Sequence, residues 1–401
     1  MRRKLPRKFY NPNNYKFPPH FYFMKKKIYD YSIDVDKEAL QQFKECYSQD
    51  FVTTAALMPD AHKGYAAPIG AVLITKDYVV PAWVGFDIGC GLIAVRVKGE
   101  DVLEKAKNNI EKIYSKVMRA VPMGVGNTNK GNLTEKTKKE FKRLIDRLEK
   151  TEHDKEVLKY LKDVASKHLG TLGGGNHFIE LGFYKKELWM IIHSGSRGIG
   201  HRVATKYMIK AANDKKDYEK TFPLDVKSKL GKEYLNILDF GLEFALLNRL
   251  EMSYKVTEAL EDALGEKLKT ELWVNKNHNH AILEKGKYIH RKGATPAKKA
   301  ERGIIPGNMR DGCFLVEGLG NSKFLNSSSH GAGRILSRKK AREKITIDEF
   351  KESMKGIRGT ISMKTLDEAP MAYKDINKIM KAQEKSVKIK KYIQPFINWK
   401  G

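Results

Sequence analysis

Five short segments set a metal-capable or nucleophilic side chain in backbone that glycine allows to turn sharply. They are Gly85-Phe86-Asp87-Ile88-Gly89-Cys90-Gly91, Gly173-Gly174-Gly175-Asn176-His177, Ile191-Ile192-His193-Ser194-Gly195-Ser196-Arg197-Gly198, Asn277-His278-Asn279 and Ser329-His330-Gly331-Ala332-Gly333-Arg334. A packed core has no use for this pattern. A metal centre needs N, S and O ligands, and a phosphate site needs backbone N–H groups that a glycine-rich turn can aim. Asp87 and Cys90, three residues apart in one turn, can converge on one cation; alone, they also read as a turn-capping aspartate and a small buried cysteine. His177 and His193 could each be a core histidine, but each stands beside a glycine cluster. His278 is ambiguous by itself, because a His/Asn cluster often marks a turn. Together the five supply enough ligands for one or two metal ions. Ligand softness favours zinc, while Asp87 keeps manganese and magnesium open. Two ions sharing the thiolate would suit phosphoryl or nucleotidyl transfer. His330 could serve as ligand, general base or nucleophile, with the glycine backbone and Arg334 cradling an anion beside it. Arg197, Arg291, Arg334 and Arg338 lie in or beside these segments, where a guanidinium fork can grip phosphate oxygens.

The elements that must hold these groups are short strands. Apolar β-rich runs occur at 71–75, 93–97, 178–181, 188–192, 288–290 and 314–316, each bordered by glycine or proline. Two long charged stretches, about 101–169 and 201–270, favour helix, and 234–263 carries apolar residues spaced at three and four. The candidate ligands therefore fall at strand ends, where a scaffold holds a side chain rigidly yet accessibly. Residues 1–30, aromatic and basic with four prolines, read as an extended arm, and the lysines of 385–391 as a solvated helix face.

With 401 residues and 41% hydrophobic content, the chain can bury a large core, and it shows no internal repeat or low-complexity linker. No apolar run reaches the roughly 18 residues of a membrane span, and the start lacks a signal peptide's apolar stretch. Three cysteines, Cys46, Cys90 and Cys313, argue against a disulfide framework and for a reducing, cytoplasmic setting. Lysine and arginine number 76 against 48 acids, a net charge of +28 that favours polyanions, nucleic acid first.

From about Leu57 to the last residue, the chain carries MPDAHKG, VGFDIGCG, HLGTLGGGNHFIE, IHSGSRGIG, RKGA, GIIPGNM, GLGN, SSHGAGRILSR, DEAPMAYKDI and a terminal WKG in order. On these motifs it closely resembles the RtcB family of RNA-splicing ligases, most of all the short bacterial-type members. The resemblance implies one α/β (α+β) domain over 1–401, with short strands in mixed sheets and long charged helices between them. It implies an RNA ligase that uses GTP and two manganese ions to join a 3′-phosphate or 2′,3′-cyclic phosphate end to a 5′-hydroxyl end. The RNA could be tRNA halves, and an archease-like activator could assist. By position, Asp87, Cys90, His177, His193 and His278 would bind manganese, with Cys90 bridging. His330 would be guanylylated, and Asp60 would orient its ring. The guanylate site would comprise Asn176, His177, Phe178, Ile179, Glu180, His278, Asn279, Pro306, Gly307, Asn308, Met309, Cys313, His330, Gly331, Ala332, Gly333, Tyr373 and Lys400. Strand alternation would put Asn176 and Glu180 on one face and His177 on the other. Arg197 and Arg334 would hold RNA phosphate. Asn308 and Cys313 stand where the family usually has serine, and Trp399 would anchor a tail that folds back to place Lys400 against guanine. A metal-dependent phosphodiesterase without a covalent histidine, or a non-catalytic RNA-binding protein, would need only part of this set.

Overall fold

Short apolar strands pair into two large sheets in the computed structural model, which describes residues 26–401. The first sheet runs in the order Lys27–Asp30, Val52–His62, Ile69–Thr75, Lys287–Lys292 and Asn279–Glu284, with only the first pair parallel. The second runs Arg302–Pro306, Cys313–Gly318, Val387–Lys400, Phe178–Tyr184, Glu187–Ser194, Gly91–Lys98 and Lys269–Asn277, all antiparallel. Arg358–Gly359 lies parallel beside Val387–Lys400. Local chemistry sets the turns: between Glu284 and Lys287, Lys285 and Gly286 take φ of 48° and 73°, a turn whose twist matches that of the strands it joins.

Period-two alternation sorts the second sheet into two cores. Ile93, Val95, Val97, Ile179, Leu181, Met190 and Ile192 face Met252, Val256 and Leu260 of the long helix Lys229–Leu264. Leu92, Ala94, Phe178, Ile191, Leu315 and Ile393 pack on the opposite face. The 36-residue helix starts at Ser228, whose hydroxyl accepts from the Gly231 N–H, and stops at Gly265, where φ is 76°. Its first half packs Tyr234, Ile237, Leu238 and Phe244 against Leu57, Trp83 and Tyr207, so both halves are enclosed.

The class is α+β, as expected, and all six expected strand runs lie within strands. The stretch 101–169 forms the α-helices Val102–Asn108, Ile110–Ala120, Glu135–Glu149 and Lys155–Val164. Of the stretch 201–270, Arg197–Ala211 and Lys229–Leu264 supply the helix, whereas 212–228 is turns and the short strand Leu224–Asp225, and a strand begins at Lys269. Two expectations change. The 385–391 lysines do not form a helix face: Val387-Lys388-Ile389-Lys390 alternates with period two, and Ile389 pairs across to Val316. Of the expected arm, residues 1–25 lie outside the described residues, while Lys27–Asp30 is a strand beside Thr54–Leu57. Among the described residues, no helix is long and apolar enough to cross a membrane.

Candidate active site

The turn that carries Asp87 and Cys90 leads directly into Gly91–Lys98, between the strands that deliver His193 and His278. Leu92 pairs with His193 and Gly91 with Asn277, so register alone sets the two histidines beside Cys90. The His278 N–H donates to the Cys90 carbonyl at 2.7 Å. Cys90 Sγ lies 3.2 Å from His193 Nε2 and 3.5 Å from His177 Nε2. Ligand atoms of these three buried residues all fall within 4.8 Å of one another. The row extends at both ends: Asp87 Oδ2 is 3.0 Å from His177 Nε2, and His278 Nε2 is 3.4 Å from His193 Nε2. Cys90 stands at the middle of five donor atoms drawn from four separate segments.

Their surroundings aim them. The His177 Nδ1–H donates to the Leu172 carbonyl at 3.0 Å, which turns the Nε2 lone pair toward Cys90. A side chain on Gly195 would place its Cβ 2.1 Å from Asp87 Oδ1, so only glycine leaves room for that carboxylate. The space beside Gly173 is filled by the Arg197 guanidinium, which donates to Thr171 Oγ1 at 3.2 Å. Burial pushes His193 and His278 far below the ordinary histidine range, and burial followed by the Asp87 charge pushes the Cys90 thiol far up. Converging lone pairs on neutral imidazoles and sulfur, with the Asp87 carboxylate at the end of the row, repel one another, and a divalent cation would accept them while drawing off the thiol proton. The donor set therefore fits a metal.

Sequence reading passed over the residue that ties this centre together. Arg249, on an apolar stripe of the long helix, is fully buried. It donates to Gly89 O at 3.0 Å and Ser194 O at 2.8 Å, joining the Cys90 turn to the His193 strand end. It also donates to the side chains of Asn275 and Asn277. Its only sequence signal is an arginine at a position whose spacing demands an apolar residue.

His330 enters from the end of Ser327–Ser329, its ring 4.8 Å from that of His278. Its Nδ1 is 2.6 Å from Asp60 Oδ2, and the same oxygen accepts from the His330 and Gly331 N–H groups at 3.2 and 3.3 Å. Burial alone would raise the Asp60 carboxyl, but the His330 imidazole outweighs it and holds the group below the ordinary range. With Nδ1–H bonded to the carboxylate, His330 keeps its lone pair on Nε2.

A cavity of about 1060 Å³ opens over this centre and is large enough for a nucleotide. Of the expected residues, Asp87, Asn176, Phe178, His193, Asn279, Pro306, Gly307, Asn308, Met309, His330, Gly331, Ala332, Gly333, Arg334, Tyr373 and Lys400 line it. His177, His278, Cys90, Asp60, Glu180 and Cys313 stand behind that lining. Ile179 points away into the helix-facing core. The expected alternation does not reach Asn176 or His177, which precede the strand Phe178–Tyr184 in a turn. Glu180 pairs across to Asn398, whose Nδ2 donates to its Oε2 at 3.2 Å. Burial pushes this carboxyl up to about 8, and Oε1 is buried without a partner among the described residues.

The chain ends as a strand: Trp399 is buried against Tyr114, with ring centroids 5.5 Å apart, and Lys400 pairs with Phe178. Lys400 Nζ is 2.7 Å from Glu368 Oε2, and Glu368 also accepts from Tyr373 OH at 2.5 Å and Arg338 at 2.6 Å. Glu368 is a second residue that sequence reading missed. Arg334 donates to Leu336 O, Asp367 O and Glu368, so its fork is engaged within the chain.

The profile of the family described as tRNA-splicing ligase RtcB matches residues 42–401. The RNA-splicing ligase RtcB of Escherichia coli K12 is 33% identical over 387 residues, covering 90% of this chain and 94% of its own. The tRNA-splicing ligase RtcB of Pyrobaculum aerophilum is 30% identical over 407 residues, covering 81% and 83%. That of Nanoarchaeum equitans is 29% identical over 435 residues, covering 86% and 87%.

Proposed function

Because the chain belongs to the tRNA-splicing ligase RtcB family and is an RNA ligase, we propose that it joins RNA 3′-phosphate or 2′,3′-cyclic phosphate ends to 5′-hydroxyl ends with GTP, through a guanylylated His330, in tRNA splicing or RNA repair. The observation that carries this reading is the 2.6 Å contact between Asp60 and His330 at the wall of a nucleotide-sized cavity. Asp60 keeps the imidazole proton on Nδ1 and leaves Nε2 to attack the α-phosphorus of GTP. A P–N bond forms there as pyrophosphate departs with the bonding pair. An oxygen of the RNA 3′-phosphate takes the guanylate and restores the imidazole. The 5′-hydroxyl then attacks the activated 3′-phosphorus, giving up its proton, and GMP leaves. Water opens a cyclic phosphate to the 3′-phosphate beforehand.

Asp87, Cys90, His177, His193 and His278 would hold two manganese ions, with Cys90 shared. When bound, the ions neutralise charge on phosphate oxygens. Glu180 and Lys400 would read the base, while Asn176, Phe178, Asn279, Tyr373, Cys313 and the segments 306–309 and 330–333 enclose the nucleotide. Arg197 and Arg334 would contact RNA phosphate. Arg197 is the freer of the two, with no carboxylate in ion-pair range among the described residues.

The test is incubation with GTP labelled at the α-phosphate in the presence of manganese. The intact chain should carry a covalent label and His330→Ala should not. A label retained by His330→Ala removes His330 from the reaction.

A further inference from the structure

We propose that Tyr65 is a stacking platform for the terminal base of a single-stranded RNA end entering the cavity, an inference that rests on the RNA-ligase reading. Tyr65 is 62% exposed although its ring lines the same cavity as His330. Exposure of this size usually accompanies a loose loop, but the backbone here is clamped. The Gln42 side chain accepts from the Gly64 N–H at 3.1 Å and donates to the Gly64 and Tyr65 carbonyls at 2.9 and 2.5 Å. The ring is backed as well. Phe86 meets it edge to face at 5.2 Å, and His201 stacks on Phe86 at 4.6 Å with 17° between planes.

This aromatic row starts at the cavity rim, and its middle member, Phe86, immediately precedes Asp87 in the chain. Basic side chains flank it: Lys292 Nζ, buried and bonded to the Ala82 carbonyl, lies 5.9 Å from the Tyr65 centroid, and Lys340 and the Lys63–Glu38 ion pair line the same opening. A pre-positioned aromatic face beside cations matches an unstacked base followed by its phosphate, and such stacking tolerates any base because every base has a π face. A chain with net charge +28 steers the polyanion to it.

The experiment measures affinity of the full chain, without GTP, for a fluorescent single-stranded RNA with an intact or an abasic terminal nucleotide. Tyr65→Ala should weaken binding of the intact end by roughly tenfold and leave the abasic end unchanged. Tyr65→Leu should behave like Tyr65→Ala, and Tyr65→Phe or Tyr65→Trp like the parent. Equal losses on intact and abasic RNA, or full affinity in Tyr65→Leu, would overturn the platform. Labelling of His330 by GTP, followed in parallel, reports separately on the proposed reaction, so failure of one reading is distinguishable from failure of the other.

Discussion

Asp60 and His330, 270 residues apart, share a 2.6 Å contact in which the fully buried carboxylate also accepts the His330 and Gly331 backbone N–H groups. One oxygen thus sets both the ring and the backbone that carries it.

Asp60→Asn should keep the shape and lose the charge that selects the Nδ1–H tautomer. Guanylylation at saturating GTP is expected to fall by about two orders of magnitude or more, with little change in the GTP concentration at half-maximal rate. A rate near the parent's would show that Asp60 only supports the turn.

Removing the central donor of the metal row should cost more than removing either other cysteine. Cys90→Ala is expected to lose manganese binding, measured by calorimetry, and ligation together. Cys46→Ala, whose thiol bonds the Ala66 carbonyl at 3.4 Å, should bind manganese like the parent. Equal manganese affinity in Cys90→Ala would sink the shared-thiolate reading.

Arg249→Met keeps an unbranched side chain but removes the guanidinium that donates to the buried Gly89 and Ser194 carbonyls. Each lost bond costs about 1–3 kcal/mol, so urea denaturation should show a loss of about 3 kcal/mol or more. Weaker metal binding should follow, because the Cys90 turn and the His193 strand end are no longer tied.

His290 gives a pH signature away from the metal row. Its Nε2 accepts from the Val80 N–H at 3.0 Å, and burial pushes it down to about 3. The unfolded histidine takes up a proton near pH 6.5, whereas the folded one does not until near its own value. Stability from this group is therefore complete above about pH 6.5 and drains away as pH falls toward 3. Replacing it in His290→Gln should flatten the dependence of the urea midpoint on pH across that window; an unchanged slope would contradict the assignment.

What the sequence determined by itself is local. Glycine-rich turns bring Asp87 within reach of Cys90 and mark His177 and His330 as site residues, and apolar runs of period two specify the strands that carry Leu92 and His193. Period 3.6 specifies the long helix, and the ordered motifs identify the family. What only the tertiary structure decided is which distant groups meet. Cys90 and His177 are 87 residues apart, and strand register rather than spacing sets them 3.5 Å apart. Arg249 reads as one more position on a helical stripe until the sheet edge supplies its carbonyls. Glu368 reads as one more surface acid until Lys400, Tyr373 and Arg338 close on it. The last residues illustrate the limit most clearly: Ile397-Asn398-Trp399-Lys400 has the length of a fraying tail, and it becomes central only because Phe178–Tyr184 offers an open edge to pair with. Backbone hydrogen bonds are satisfied between strands far apart in the chain, and burial then fixes the charge state of whatever side chains that pairing encloses.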